Sequence, residues 1–134
     1  MKQFITILIF ALTVSAFTAK AQMFNCQSTG VARVDNQTSV SYYERDDYSF
    51  SIVPDREMVV ITKNYGSSFS YTGTYKIEYA MPVYDNEMGN GYSFAISRNN
   101  TVYVMTMTKN IISFSKMGDQ SRIWHFYLNR SINF

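Results

Sequence analysis

Few side chains in this sequence could do chemistry, and they are scattered. His125 is the single histidine and Cys26 the single cysteine. A general base needs a nucleophile within reach and a carboxylate to hold its tautomer. Asp119 and Ser121 stand just upstream of His125, but their spacing makes no triad. One imidazole and one thiol also fall short of the three or four nitrogen and sulfur ligands that zinc takes. His125 therefore reads as a sheet histidine, and no enzyme activity is expected. Cys26 has no neighbouring cation to depress its pKa, so it reads as a small hydrophobe rather than a nucleophile. Bridging of two chains through Cys26 stays open.

The acids fall into two weak clusters. "ERDD" carries Glu44, Asp46 and Asp47, and "DNEMGNG" carries Asp85, Asn86, Glu87 and Asn90. Calcium needs several oxygens at defined intervals on a bent loop. Neither cluster has those intervals, so both read as solvated turns, and no metal or other cofactor is expected. Gly-rich phosphate cradles, CxxC pairs and HExxH are missing from the sequence. Asn36, Asn99 and Asn129 each begin an N-x-S/T triplet, which would matter only on a glycosylating export route.

The surplus lies in the rings. The chain has 11 Tyr, 10 Phe and 1 Trp. Burying every tyrosine would demand a partner for every hydroxyl, so some rings are expected at a surface or rim. The candidate contact residues are Tyr84 and Tyr92, with Asp85 and Glu87 in the loop between them, and Tyr71 and Tyr75 on the clearest strand.

That strand is "FSYTGTYKIEYA". Phe69, Tyr71, Tyr75, Ile77 and Tyr79 fall on one face, and Ser70, Thr72, Thr74, Lys76 and Glu78 on the other. This is the period of two that an extended chain imposes. Gly73 interrupts it and predicts a bulge, a bend or a close approach. Similar alternation runs through Phe50–Ile52, Tyr92–Phe94–Ile96, Tyr103–Met105–Met107, Ile112–Phe114 and Trp124–Phe126–Leu128. Polar breaks at "DNQT", "RDD", "RNN", "KN" and "GDQS" separate the runs, and Pro54 and Pro82 mark strand ends. The expectation is an all-β domain: a single antiparallel meander of about eight strands, closed into a barrel or folded as a two-sheet sandwich.

Met1–Ala21 has a basic start at Lys2, an apolar run from Phe4 to Phe17, and small residues at Ala19 and Ala21. This is the pattern of a cleaved export signal, leaving one β domain over residues 22–134 in a periplasmic or secreted setting. Asn25 disfavours a lipobox at Cys26. Lys2 and Lys20 are the only charges in the leader. Of 12 bases and 10 acids, those that remain balance. No basic stripe is left to gather phosphates, so nucleic acid is not an expected partner. Nor is stable membrane insertion expected once the signal is removed.

These features together favour an exported, non-catalytic module that contacts an envelope or extracellular protein. The alternative is a β-barrel carrier of a small apolar or aromatic ligand, with the Phe69–Tyr79 face lining a cavity. A small secreted enzyme ranks last.

Overall fold

In the computed structural model of this protein, residues 23–134 are described; the expected signal, Met1–Ala21, lies outside them. Eight strands follow one another: β1 (Phe24–Asp35), β2 (Ser39–Val53), β3 (Met58–Tyr65), β4 (Gly73–Asp85), β5 (Gly89–Arg98), β6 (Thr101–Thr108), β7 (Ile111–Lys116) and β8 (Asp119–Leu128). Each pairs antiparallel with the next, and β8 pairs antiparallel with β1, which closes the sheet into a barrel. Of the two architectures open from the sequence, the barrel is the one observed.

Turn chemistry follows the polar breaks. Asn99 and Asn100 take φ of 52° and 63° between the paired Arg98 and Thr101. Two consecutive left-handed residues are what a tight hairpin matching the strand twist requires, and asparagine tolerates them best after glycine. Asn36 and Gln37 do the same between β1 and β2, where the Thr38 N–H donates to the Asp35 carbonyl at 3.1 Å.

The meander puts alternate connections at opposite ends. One end, here the mouth, carries the β1–β2, β3–β4, β5–β6 and β7–β8 connections. The base carries the start of β1, the 3₁₀ turn Pro54–Arg56, the β4–β5 and β6–β7 turns, and the segment after β8. That segment covers the base. The Asn129 N–H donates to Gln27 O and the Ile132 N–H to Lys109 O. The Phe134 ring lies 5.5 Å from Phe24 and 5.6 Å from Tyr92.

Inward positions fill the barrel with Val31, Tyr48, Phe50, Ile52, Val59, Ile61, Tyr75, Ile77, Phe94, Ile96, Met105, Met107, Ile112, Phe114, Trp124 and Phe126, all buried. Eight strands leave an interior that side chains can fill. Two details depart from the expected "FSYTGTYKIEYA" strand. β4 begins at Gly73, not Phe69. Gly66 (φ 96°) and Gly73 (φ 140°) bound a segment that leaves the wall and turns inward. Its Phe69 is 2% exposed and sits inside the barrel. The second departure is a bulge at Glu78, where Ile77 pairs with Ile96 but Tyr79 pairs with Ala95. The extra residue shifts the phase. Ala80 takes the buried inward position that alternation assigned to Tyr79.

Candidate functional site at the barrel mouth

Phe69 divides the interior into a packed core and an open mouth. Its ring centroid lies 5.0 Å from Phe114, 5.0 Å from Phe126, 5.3 Å from Trp124 and 5.6 Å from Tyr48, each near perpendicular. Edge-to-face packing sets the positive ring edge against the negative face of its neighbour. The carboxylate of Asp46 fastens the segment from below. Asp46 Oδ2 accepts from the Ser68 N–H at 3.0 Å, from the Ser68 hydroxyl, and from the Tyr48 hydroxyl at 3.3 Å. Tyr48 in turn accepts the Phe69 N–H at 3.0 Å. Arg98 donates to the Thr72 carbonyl and lies 5.8 Å from the Tyr75 ring centre. Backbone groups that leave the ladder are thus met by side chains, as buried polar groups require.

Above Phe69 lies a cavity of about 400 Å³, lined by Tyr71, Tyr103, Phe114 and Trp124, with Asp35, Lys116, Asp119, Ser121 and Arg122 around it. Tyr103 stacks on Phe114 at 5.0 Å and 24°, and Tyr71 lies 5.6 Å from Tyr103. Tyr43 reaches the opposite side of Trp124 at 6.4 Å. The closing β1–β8 pair supplies the charges. Arg33 faces Trp124 in the register and its guanidinium lies 5.7 Å from the indole centre. Arg33 pairs with Asp35 Oδ2 at 2.9 Å, and Arg122 Nε with Asp35 Oδ1 at 3.2 Å. Asp119 accepts the Ser121 N–H at 2.9 Å; bonds from the Ser121 hydroxyl and N–H hold its carboxyl below the usual range.

The six residues singled out from sequence divide between the two ends. Tyr71 lines the mouth. Tyr75 is buried beside it, its hydroxyl donating to the Tyr71 carbonyl, and burial raises its pKa. Tyr84, Asp85, Glu87 and Tyr92 belong to the base. Tyr84 is 78% exposed on the β4–β5 ribbon, which runs past the last β5–β6 pair at Gly91. Tyr92 turns inward against Phe94 and Phe134. Asp85 accepts from the Glu87 and Met88 N–H groups at 2.7 and 2.8 Å. Those two bonds, Met88 first, lower its pKa and make it a turn-former. Among the described residues no three His, Cys, Asp or Glu side chains come together as a metal site.

His125 faces outward from β8, and its Nδ1 lies 3.0 Å from the Ser113 hydroxyl. Burial lowers its pKa. Its partner is Ser113, whereas Asp119 and Ser121 bond each other at the mouth. The Cys26 thiol is pushed up to about 11 by burial. A larger depression of about 870 Å³ lies at the base, between β1–β3 and the Asn129–Asn133 segment. Its lining mixes amide and hydroxyl side chains with Met23, Phe24, Cys26, Phe50, Val60 and Ile132, and holds two rings where the mouth holds four.

Sequence reasoning missed Tyr103, Phe114 and Trp124 as a site, having read them as core, and missed Arg33, Asp35, Lys116 and Arg122 altogether. No family model matches this chain, and no curated protein or solved structure is significantly similar to it.

Proposed function

We propose that this protein is a non-catalytic binding module that takes a small, ring-bearing ligand in its barrel mouth. One observation carries this reading: the rings of Tyr71, Tyr103, Phe114 and Trp124 line a cavity of about 400 Å³ together with seven polar or charged side chains. That volume is in the range of small-molecule sites, roughly 300–1,000 Å³, which pair apolar walls with a few polar groups. A ring-sized group entering there would gain stacking and edge contacts on several sides. Phe69 packs inside the barrel against Tyr71, Phe114 and Trp124, and that filled interior leaves no place for a long acyl chain.

The outer wall carries Gln27, Ser49, Ser51, Thr62 and Lys76 at outward register positions, while rings fill the inside. That is the reverse of a lipid-facing barrel and supports a role in water. Export to the periplasm or the exterior, from the Met1–Ala21 pattern, is part of the proposal.

Trp124 is the only tryptophan, so its emission reports on the mouth. Titrating the protein with naphthalene derivatives by calorimetry, or with single-ring compounds that do not absorb where Trp124 is excited, tests the reading. Tyr103→Ala removes one wall and is expected to weaken binding about fivefold, one aromatic pair's worth. Binding unaffected by Tyr103→Ala, with Trp124 emission unmoved, refutes it.

A second reading, contact with an envelope or extracellular protein, is favoured by the β4–β5 ribbon. Met81 and Met88 are exposed there along with Tyr84. Tyr84→Ser leaves the barrel intact, so unchanged retention of envelope proteins by that variant would count against it.

A further inference from the structure

We infer that the ligand of the mouth is an anion, a planar ring bearing a carboxylate, and that Lys116 is its charge partner. This rests on the mouth reading above and goes one step further, to the chemistry of the ligand.

The argument starts from charge placement. Residues outside the leader balance bases against acids, yet the mouth does not. Lys116 and Arg122 in its lining balance Asp35 and Asp119, and Arg33, which pairs with Asp35 and lies over Trp124, adds one further positive charge. Asp35 is shared by two guanidiniums, from Arg33 and Arg122. That group of three therefore keeps a net positive charge. Arg98 is engaged with Thr72 and Tyr75. Lys116 is different. Its register partners are Tyr103 on β6 and Asp119 on β8, its side chain lines the cavity, and it belongs to none of the ion pairs among the described residues. It acts on Asp119 only through its field.

Lys116 stands on β7 between Tyr103 of β6 and Asp119 of β8, and the Arg33–Asp35–Arg122 group follows on β8 and β1, the next strands round the rim. A ring lying between Tyr71, Tyr103 and Trp124 would present a short acidic substituent to Lys116. A neutral ring gains the stacking alone. A cationic ring meets the excess positive charge. Lysine suits this role because its flexible stem lets the charge follow the substituent.

The test uses two probes of one shape, phenylacetate and phenylacetamide, with the full processed chain. Neither absorbs where Trp124 is excited, so indole emission follows both. Phenylacetate is expected to bind about fivefold or more tighter at low salt, with the advantage shrinking as salt screens the pair. Lys116→Gln should erase the preference, each affinity being read against that variant's own phenylacetamide binding, whereas Lys116→Arg should restore it. Equal affinity for the two probes overturns the inference while leaving the mouth reading in place. Binding of neither probe, with Trp124 silent, overturns both. A preference that survives Lys116→Gln overturns the assignment to Lys116. Circular dichroism and the urea midpoint confirm that Lys116→Gln, at an exposed position, remains folded.

Discussion

Replacing Phe69 by alanine is the sharpest test of how this barrel is held. In a regular strand Phe69 would be one of four rings on a face, and its loss would be shared. In the structure it stands alone at the barrel axis, 2% exposed, with near-perpendicular ring partners at 5.0–5.6 Å. Truncating a buried Phe costs about 3–5 kcal/mol, the upper part applying where the surroundings cannot collapse. Here the surroundings are a closed hydrogen-bonded wall, so the upper part is expected. A domain of this size has about 5–15 kcal/mol to lose. With a urea dependence of about 2 kcal/mol per molar, the midpoint should fall by about 2 M with little change in slope. Trp124 emission reads the transition, because Trp124 is one of the lost partners. Tyr84→Ala is the control: an exposed ring on the ribbon should move the midpoint by under about 0.5 kcal/mol. A Phe69→Ala loss below about 1 kcal/mol would refute the reasoning, since the ring would then not be filling the barrel.

Asp46→Asn removes the charged acceptor of the Ser68 and Tyr48 donors; a loss of about 1.5–3 kcal/mol should accompany faster proteolysis between Gly66 and Thr72. Gly91→Ala should be strongly destabilising, by about 1–3 kcal/mol or more, because a Cβ there would run into the Met107 carbonyl of the adjacent strand; an unchanged melting temperature would show that β5 and β6 are less closely apposed. Burial lowers the His125 pKa in the fold, so the unfolded chain binds more protons between the folded value and about 6.5. Stability is therefore full above pH 6.5 and declines as pH falls below it, until the folded pKa is passed; His125→Gln should flatten that part of a urea-midpoint profile taken from pH 7.5 to 5. The Cys26 thiol, raised to about 11, should react with iodoacetamide at pH 8 only slowly until denaturant is added.

The sequence is most legible where hairpins are regular. Tyr92–Phe94–Ile96 and Tyr103–Met105–Met107 point inward as their alternation implies, because β5 and β6 pair without a register shift. Legibility fails where one residue changes the phase. Glu78 bulges and hands the inward position from Tyr79 to Ala80, and nothing in "KIEYA" marks which residue will be extra. Phe69 and Tyr71 continue the alternation of β4 in sequence yet lie on a segment that leaves the wall. Gly73 was the clue, since its φ of 140° is open only to glycine. The mouth was hidden for another reason. Arg33 and Asp35 are separated from Lys116 and Arg122 by most of the chain, and only closure of the sheet makes them neighbours. Period two states which side chains share a face and is silent on which strands meet.

The β1–β8 seam has a consequence for how the chain reaches this state. Ser28 finds Leu128 and Asp35 finds Arg122 only after every intervening hairpin exists. Such distant pairings make for slow acquisition of structure. Until the eighth strand has been synthesised the ribbon has two raw margins, and Trp124 and Phe126 have yet to arrive against Phe69. A half-made chain is thus kept unfinished by its own topology until the clasp shuts.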